Sequence, residues 1–213
     1  MANDIFTMTP LLLNAEILHD LQSIHQLPDL QIYLFEHKFQ LETLRTQLRM
    51  QAFSELKNQN IITKEHPSLL DLKSIPTLSK GDISFSHSQK TCGFVFSQQV
   101  HQLGFDIEEQ QRVSDPPVKR VSSEQEFQQA PSPLHLWVAK EAAFKALHKA
   151  LPKVHVLSHV EIHSWSSHSH NLSLAHATAF NCTLTCSITN LNNRAFSICV
   201  FPLNFRPGTP IDI

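Results

Sequence analysis

The spacing of hydrophobic residues predicts a helix followed by short strands in the first half of the chain. Over residues 34–56, apolar side chains recur at steps of two to four, mostly three or four, which is the spacing of an amphipathic helix. Three stretches follow in which apolar and polar residues alternate or apolar residues are continuous, and both patterns are typical of strands. They cover residues 82–86, 92–97 and 99–108, and Ser97-Gln98-Gln99 is a candidate hairpin turn between the last two.

The second half of the chain repeats this order. Ser132 and Pro133 suit the N-cap and the first position of a helix, and Pro152 ends it. A helix and then strands, found twice, predicts an α+β fold in which two similar lobes, residues 1–103 and 104–213, form a pseudo-dimer. The strands of this half are expected at residues 157–165, 172–180 and 184–191, and RAFSICVF follows the turn dipeptide Asn192-Asn193.

Composition and charge narrow the classes of function. The 213 residues are 41% hydrophobic with a formal net charge of −2, which suits a folded domain and argues against binding to nucleic acid or to an anionic membrane. The 4 cysteines form no CxxC pair, and the sequence shows no signal peptide. No apolar run reaches the roughly 18 residues of a membrane span, so we expect a reduced, cytoplasmic protein.

The helix predicted around residues 134–151 carries charged residues on two different faces. Lys140 falls in the middle of a bulky apolar face, where an amine is costly unless it meets an anion or its stem reaches out to solvent. Glu141 and Lys145 lie on a separate polar arc. They could act on a ligand, or they could be an ordinary surface pair that contributes roughly 0.2–0.5 kcal/mol.

The strand that contains LGFDIEE, residues 103–109, places two carboxylates on one face. Its apolar residues point one way, whereas Asp106 and Glu108 share the other face with Gly104, which leaves room for something to approach. Carboxylates this close repel each other unless a cation joins them, and Mg²⁺ or Mn²⁺ suits such oxygen ligands together with substrate phosphates. The alternative is a solvated strand face opposite lysines.

Hydroxyl and histidine side chains end the first predicted strand, in the sequence SFSHS at residues 84–88. The hydroxyls of Ser86 and Ser88, together with His87 and exposed backbone amides, could hold a phosphate through hydrogen bonds. A serine-rich turn with a solvated histidine is the alternative. A second segment, HSWSSHSHNLSLAH at residues 163–176, could bind a metal or form an exposed polar turn.

Three motifs occur in one order along the chain: ISFSHS, LGFDIE and LWVAKEAAFKA. Together they resemble the 4′-phosphopantetheinyl transferase superfamily, whose members carry a G-(I/V/F)-D-x-E strand and a W-x-x-K-E-x-x-x-K helix. The upstream S-H-S, the length and the repeated pattern resemble its two-lobed, monomeric Sfp-type branch over residues 30–202. The trimeric holo-acyl-carrier-protein synthase branch has its D-x-E near the N-terminus, whereas Asp106 lies mid-chain.

The resemblance implies a set of site residues. Asp106, Glu108 and Glu141 would hold Mg²⁺ or, as an alternative, Mn²⁺, and the ion would bridge the diphosphate of coenzyme A. Glu141 would also act as the general base, and Lys145 would face the phosphates as the second catalytic residue. The implied coenzyme A-binding residues are Ser86, His87, Ser88, Lys140 and Lys145, with Lys73 in LKSIP as the counterpart of a glycine-lysine-proline stretch near the adenine. Candidates for a basic residue expected early in the first long helix are Lys38, Arg45 and Arg49.

The implied reaction transfers the 4′-phosphopantetheine group of coenzyme A to a serine of an apo acyl or peptidyl carrier protein and releases 3′,5′-ADP. The carrier is expected to dock near the cleft and the 109–132 segment, while its pathway (fatty acid, polyketide or nonribosomal peptide synthesis) stays open. Two alternatives are a non-catalytic module that binds coenzyme A or a carrier protein, and a metal-dependent phosphohydrolase. With both lobes in one chain, the protein is expected to be active as a monomer.

Overall fold

A computed structural model describes residues 8–62, 67–73, 75–76, 78–99, 101–169 and 171–202. Helices and strands occur in both halves of the chain. The first half contains β1 (Thr9–Leu11), α1 (Ala15–Ile24), β2 (Gln31–Glu36), α2 (Leu41–Asn58), α3 (Pro67–Leu70), β3 (Asp82–His87) and β4 (Thr91–Ser97). The second half contains β5 (His101–Glu109), α4 (Asp115–Val121), α5 (Glu124–Gln129), α6 (Pro133–Ala150), a 3₁₀ turn (Leu157–His159), β6 (Glu161–Ser169), β7 (Leu172–Ala179), β8 (Cys182–Leu191) and β9 (Arg194–Pro202).

The strands form two antiparallel sheets, in the orders β1-β2-β4-β3 and β5-β9-β8-β7-β6. Two antiparallel sheets with helices confirm the predicted α+β fold class. The expected lobe division between residues 103 and 104 falls inside β5, which pairs with β9 from His101 onwards. The second sheet therefore begins before residue 103, and the division into two domains stays a prediction.

Some predicted elements are wrong. The helix predicted over residues 34–56 begins only at Leu41, because residues 34–36 complete β2 and pair there with β4. The hairpin predicted at Ser97-Gln98-Gln99 does not form. Since β4 is already flanked by β2 and β3, it offers no edge to β5, which joins β9 instead. The strand expected from residue 157 begins at Glu161, after the 3₁₀ turn.

One long helix packs against each sheet. Helix α2 buries Leu44 and Leu48 with Phe94 of the first sheet. Helix α6 buries Leu136 and Leu147 in the core of the second sheet. Its start is fixed by Ser132, whose hydroxyl accepts a hydrogen bond from the amide of His135 at 3.2 Å, as the sequence predicts for this N-cap.

Gly104 allows helix α6 to approach β5 closely. A Cβ atom at this position would lie 1.8 Å from the carbonyl oxygen of Ala142, which is far inside van der Waals contact. The side of α6 that meets β5 is made of small residues, since Ala142 and Ala146 are both fully buried. The room that the glycine was expected to leave is therefore filled by the backbone of α6.

The edge of β5 is held to β3 by side chains. Three backbone amides of β5 donate hydrogen bonds to three successive inward side chains of β3, at a spacing of two residues on both strands. The pairs are Leu103 to Asp82 at 2.6 Å, Phe105 to Ser84 at 3.1 Å and Ile107 to Ser86 at 3.3 Å. We call this contact the β3–β5 seam. It joins the two sheets and covers a strand edge that would otherwise have unpaired amides.

Candidate active site

A cleft of about 420 Å³ is lined by residues of both sheets and of the long helix on each. Six of the predicted site residues line this cleft: Ser86, His87, Asp106, Glu108, Glu141 and Lys145. The other lining residues are Arg45, Leu48, Arg49, Leu72, Phe85, Arg112 and Trp137. The structure therefore brings together the three sequence motifs, which are far apart along the chain.

Asp106 links the two halves of the cleft. It is buried on β5, and its Oδ1 accepts hydrogen bonds from Ser86 Oγ at 2.6 Å and from Lys145 Nζ at 2.7 Å. Lys145 Nζ also donates to the carbonyl oxygen of Phe105 at 2.9 Å. The second oxygen, Oδ2, is buried without a hydrogen-bond partner among the described residues. Because an unmet buried acceptor costs about 1–3 kcal/mol, this oxygen marks a place for a cation or a donor.

Glu108 lies two residues further along β5 and lines the same cleft. Ser88 Oγ donates a hydrogen bond to its Oε2 at 2.6 Å, and Arg112 Nη1 lies 3.5 Å from the same oxygen. Burial is the main cause that raises the pKa of Glu108 to about 7, and the charge of Asp106 adds to it, against the effects of Ser88 and Arg112. Glu108 therefore titrates near neutral pH when no cation is bound.

Glu141 enters the cleft from helix α6. Burial raises its pKa, and the negative charge of Asp106 raises it further, while Lys145 opposes both effects. A carboxylate with a raised pKa is a stronger base once it is ionised. Glu141 is thus the carboxylate on the helix whose environment suits proton transfer.

The chemistry of these three carboxylates suits Mg²⁺. This ion keeps several waters and takes one or two protein carboxylates together with substrate phosphates. A divalent cation would give Asp106 Oδ2 a partner, and it would offset the burial and the repulsion from Asp106 that raise the pKa of Glu108 and of Glu141. Within the described part of the chain, no three His, Cys, Asp or Glu residues already surround one metal position. The three-ligand set therefore stays a prediction.

His87 meets a cation from helix α2. Arg45 Nε donates a hydrogen bond to His87 Nε2 at 3.2 Å, which places the proton of the neutral ring on Nδ1. This Nδ1 is buried and has no hydrogen-bond partner in the described ranges. Burial lowers the pKa of His87, and the charges of Arg45, Lys145 and Arg112 lower it further. The ring is therefore neutral near pH 7 and presents a free N–H donor.

Two other predicted binding residues lie outside the lining of the cleft. Ser88 is buried, and its hydroxyl lies within hydrogen-bonding distance of Glu108 and Glu109, so it supports carboxylates and is not open to a phosphate. Lys73 is exposed and lines a neighbouring recess of about 370 Å³ together with Arg49 and Phe144. Of the basic candidates on and near α2, Arg45 and Arg49 line the cleft, whereas Lys38 does not.

Lys140 does not reach the cleft. Its side chain is fully buried, and Nζ lies 2.6 Å from Glu126 Oε1 and also donates to the carbonyl oxygen of Val160. Lys140 therefore meets an anion, which is one of the two ways in which a lysine is tolerated on an apolar face. Because Glu126 and Val160 hold its amine away from the cleft, the geometry argues against its implied role in coenzyme A binding. Helix geometry explains the difference, since Lys140 and Glu141 are about 100° apart around α6 and only Glu141 faces the cleft.

Sequence reasoning missed Arg112, which lines the cleft, and Glu126, which pairs with Lys140 away from the cleft. Arg112 lines the cleft and pairs with Glu108, four residues earlier. Glu126 receives Lys140 and completes a capping box with Ser123 at the start of α5. The spacing S-x-x-E was a detectable signal for that capping box, although nothing in it points to Lys140.

The histidine-rich segment lies on β6 and β7, at the opposite edge of the second sheet from β5. His163 and His176 pair across these strands, with ring centroids 6.0 Å apart. Neither lines the cleft, and among the described residues no three His, Cys, Asp or Glu side chains lie close enough together to hold a metal ion. These contacts do not support a metal site in the histidine-rich segment, so metal binding there stays a prediction.

A model of the 4′-phosphopantetheinyl transferase superfamily matches residues 102–199. This match covers just under half of the chain, and it confirms the resemblance to the superfamily that the sequence motifs indicate. The matched region includes Asp106, Glu108, Glu141 and Lys145, whereas Ser86 and His87 come from β3 outside it. A comparison with curated proteins gives no match. In the part of the chain that the structure describes, no helix has the length and apolar character to cross a membrane.

Proposed function

We propose that this protein transfers the 4′-phosphopantetheine group of coenzyme A to a serine of an apo carrier protein. The observation that carries the proposal is the meeting of Asp106 and Lys145, from the matched region, with Ser86 of β3 in one cleft. Carboxylates beside cations suit a substrate that brings a diphosphate, and transfer to a hydroxyl needs a base within reach.

Donors in the cleft suit the diphosphate of coenzyme A. Lys145, Arg45 and Arg112 supply positive charge, and His87 presents its Nδ1–H. Hydrogen bonds from charged donors to phosphate are about twice as strong as neutral ones. These donors would hold the diphosphate and spread the charge that builds up during transfer.

Asp106, Glu108 and Glu141 are the proposed ligands of Mg²⁺, and Mn²⁺ has a similar preference for oxygen. When bound, the ion would supply charge neutralisation at the diphosphate. The protein orients Asp106 before any ligand arrives, because Ser86 and Lys145 both hold its Oδ1 and leave Oδ2 free.

Glu141 is the proposed general base. It would accept the proton of the carrier serine hydroxyl, directly or through a water molecule, and burial has already raised its pKa. The serine oxygen forms a bond to the β-phosphorus of coenzyme A. The bond from this phosphorus to the oxygen that bridges to the α-phosphate breaks, and 3′,5′-ADP leaves with the electron pair.

The recess next to the cleft is the proposed place for the adenosine end of coenzyme A. Lys73 brings positive charge to it, and Pro76 and Phe144 bring apolar surface. Lys149 also lines the recess, but its ammonium donates to Asp82 and to two backbone carbonyls and is not counted among the binding groups. A mostly apolar lining with a few charged groups suits a purine that carries a phosphate nearby. Lys73→Ala is expected to weaken binding of coenzyme A more than binding of pantetheine phosphate.

The Sfp-type branch, a monomeric state and a cytoplasmic location belong to the same proposal. Support for the monomer comes from the cleft, because residues of both halves of one chain line it. An active monomer in analytical ultracentrifugation would agree with this proposal. An obligate trimer that loses activity on dissociation would contradict it.

The test of the function is a transfer assay with coenzyme A, Mg²⁺ and a panel of apo acyl and peptidyl carrier proteins, read by intact-protein mass spectrometry. The expected result is a carrier whose mass rises by one phosphopantetheine group, with release of 3′,5′-ADP, and no product in the presence of a chelator. Asp106→Asn serves as the inactive control. Release of nucleotide without any carrier would instead indicate a phosphohydrolase, and binding without turnover would indicate a non-catalytic module.

A further inference from the structure

Asp82 and Lys149 meet in the β3–β5 seam, outside the lining of the cleft. Lys149 Nζ lies 2.8 Å from Asp82 Oδ2, and each side chain is 11% exposed. The same Asp82 oxygen accepts the hydrogen bond from the amide of Leu103 at 2.6 Å. One carboxylate oxygen therefore joins β3 to both β5 and α6.

The ammonium group of Lys149 is fully used within the seam. Besides Asp82, it donates to the carbonyl oxygens of Ile83 at 3.0 Å and Leu103 at 2.9 Å. An ammonium has three donors, and each of them has an acceptor here. Lys149 thus connects helix α6 to one strand of each sheet.

Lys145 makes the corresponding contacts one helical turn earlier, at the cleft. It donates to Phe105 O, two residues along β5 from Leu103 O, and to Asp106 Oδ1 and Ser86 Oγ. The two lysines are four residues apart on α6. The carbonyls that they bind are two residues apart on β5, and their side-chain partners on β3 are four residues apart. The two lysines fix both ends of one contact, with the neutral pair of Ser84 and Phe105 between them.

A shift along this seam would have unequal effects on its members. A serine hydroxyl can find another backbone amide two residues away, since the amides of β5 repeat at that spacing. A shifted Asp82 or Lys149 would leave a buried charge without its partner, which is strongly destabilising. The Asp82–Lys149 ion pair is therefore the part of the seam that allows only one register between β3 and β5.

We propose that Asp82 and Lys149 are a positioning pair that sets the register between β3 and β5 and so keeps Ser86 and His87 opposite Asp106 and Lys145. The two residues act through the seam and do not touch the substrate diphosphate. This inference rests on the proposed function, because the residues that it positions are those proposed to bind coenzyme A.

The test is a double-mutant cycle with Lys149→Met and Asp82→Asn. Methionine keeps the length of the lysine stem without its charge, and asparagine keeps an acceptor for the amide of Leu103. Glu36→Gln is the matched control, because Glu36 pairs with Arg194 at 2.5 Å, also between the two sheets, but is 49% exposed on its side chain. Each variant is measured by calorimetric binding of coenzyme A with Mg²⁺, by kcat/KM, by thermal melting and by hydrogen exchange at residues 103–107.

Each single variant is expected to weaken coenzyme A binding at least about tenfold. The double variant is expected to bind coenzyme A at least as tightly as the single variant with the lower affinity. Exchange at residues 103–107 should become faster, melting should stay above the assay temperature, and Glu36→Gln should stay within about twofold of wild type. Unchanged binding, or losses that multiply in the double variant, would overturn the proposal. A wild-type protein that binds coenzyme A without transferring it would count against the proposed function alone, since binding and exchange still test the pair.

Discussion

Lys140 Nζ lies 2.6 Å from Glu126 Oε1, and the two side chains are only 1% and 9% exposed. Glu126 also accepts hydrogen bonds from the amides of Ile162 at 2.9 Å and Ser123 at 2.7 Å. Burial opposes ionisation of Glu126, but the hydrogen bond from Lys140 and these amides together hold its pKa below its usual value. The pair thus ties α5, α6 and the start of β6 together, and it explains a lysine on the apolar face of α6.

Replacing Lys140 by methionine is expected to destabilise the protein by about 3–5 kcal/mol, because it leaves the charge of Glu126 buried and unpaired. The measurement is chemical denaturation near pH 7. In the double variant with Glu126→Gln, the buried charge is gone and one of the two amides keeps its acceptor, so part of the loss should be recovered. A double variant that is less stable than Lys140→Met alone would contradict this account.

Gly104→Ala is expected to lower both stability and activity. The added Cβ would lie 1.8 Å from the carbonyl oxygen of Ala142, and a backbone atom cannot rotate away, so α6 must move from β5. Crowding of this kind costs about 1–3 kcal/mol or more. Gln102→Ala, on the same strand, is the control and should change the melting temperature little. If Gly104→Ala melted and reacted like wild type, the close contact would not position α6.

Glu108 predicts how stability depends on pH in the absence of Mg²⁺. Its pKa is raised from 4.5 to about 7 in the folded state, so the folded state binds more protons between these values than the unfolded chain does. Stability from this group is complete below about pH 4.5 and is lost as the pH rises through 7. Glu108→Gln should therefore gain stability relative to wild type at pH 8 but not at pH 5, as measured by melting in a chelator.

The control for this pH effect is Glu16→Gln, which removes a carboxylate from the exposed surface of α1. Its stability difference from wild type should be nearly the same at pH 5 and pH 8. Addition of Mg²⁺ at pH 8 should stabilise wild type more than Glu108→Gln, since the ion needs an ionised ligand. An equal effect of Mg²⁺ on both proteins would remove Glu108 from the proposed metal site.

Glu141→Gln and Lys145→Ala are expected to affect different steps. Glutamine keeps the shape of Glu141 but cannot accept a proton, so turnover should fall by about a hundredfold or more. Lys145→Ala removes a cation proposed to face phosphate, so it should mainly weaken coenzyme A binding. Steady-state kinetics and calorimetry separate the two effects. Wild-type values for both variants would mean that α6 presents only a solvated face to the cleft.

Several features of this protein could be predicted from its sequence because they depend on interactions between residues that are close together in the chain. The N-cap at Ser132 and the alternation that puts Asp106 and Glu108 on one face depend on residues close together in the chain, so both follow from sequence. The polar arc with Glu141 and Lys145 follows from helix geometry in the same way. These elements, placed in order, were enough to identify the superfamily that residues 102–199 match.

Long-range pairing decided the rest. Residues 34–36 form a strand, not the predicted helix, because they pair with β4. The spacing of apolar residues along the chain contains no information about that pairing. Lys140 needed Glu126, 14 positions earlier on another helix, before its burial made sense. The contact of Lys149 with Asp82 spans 67 positions. Such contacts depend on how the two sheets meet, and this arrangement, stabilised by burial of side chains from both halves, is a property of the tertiary structure alone.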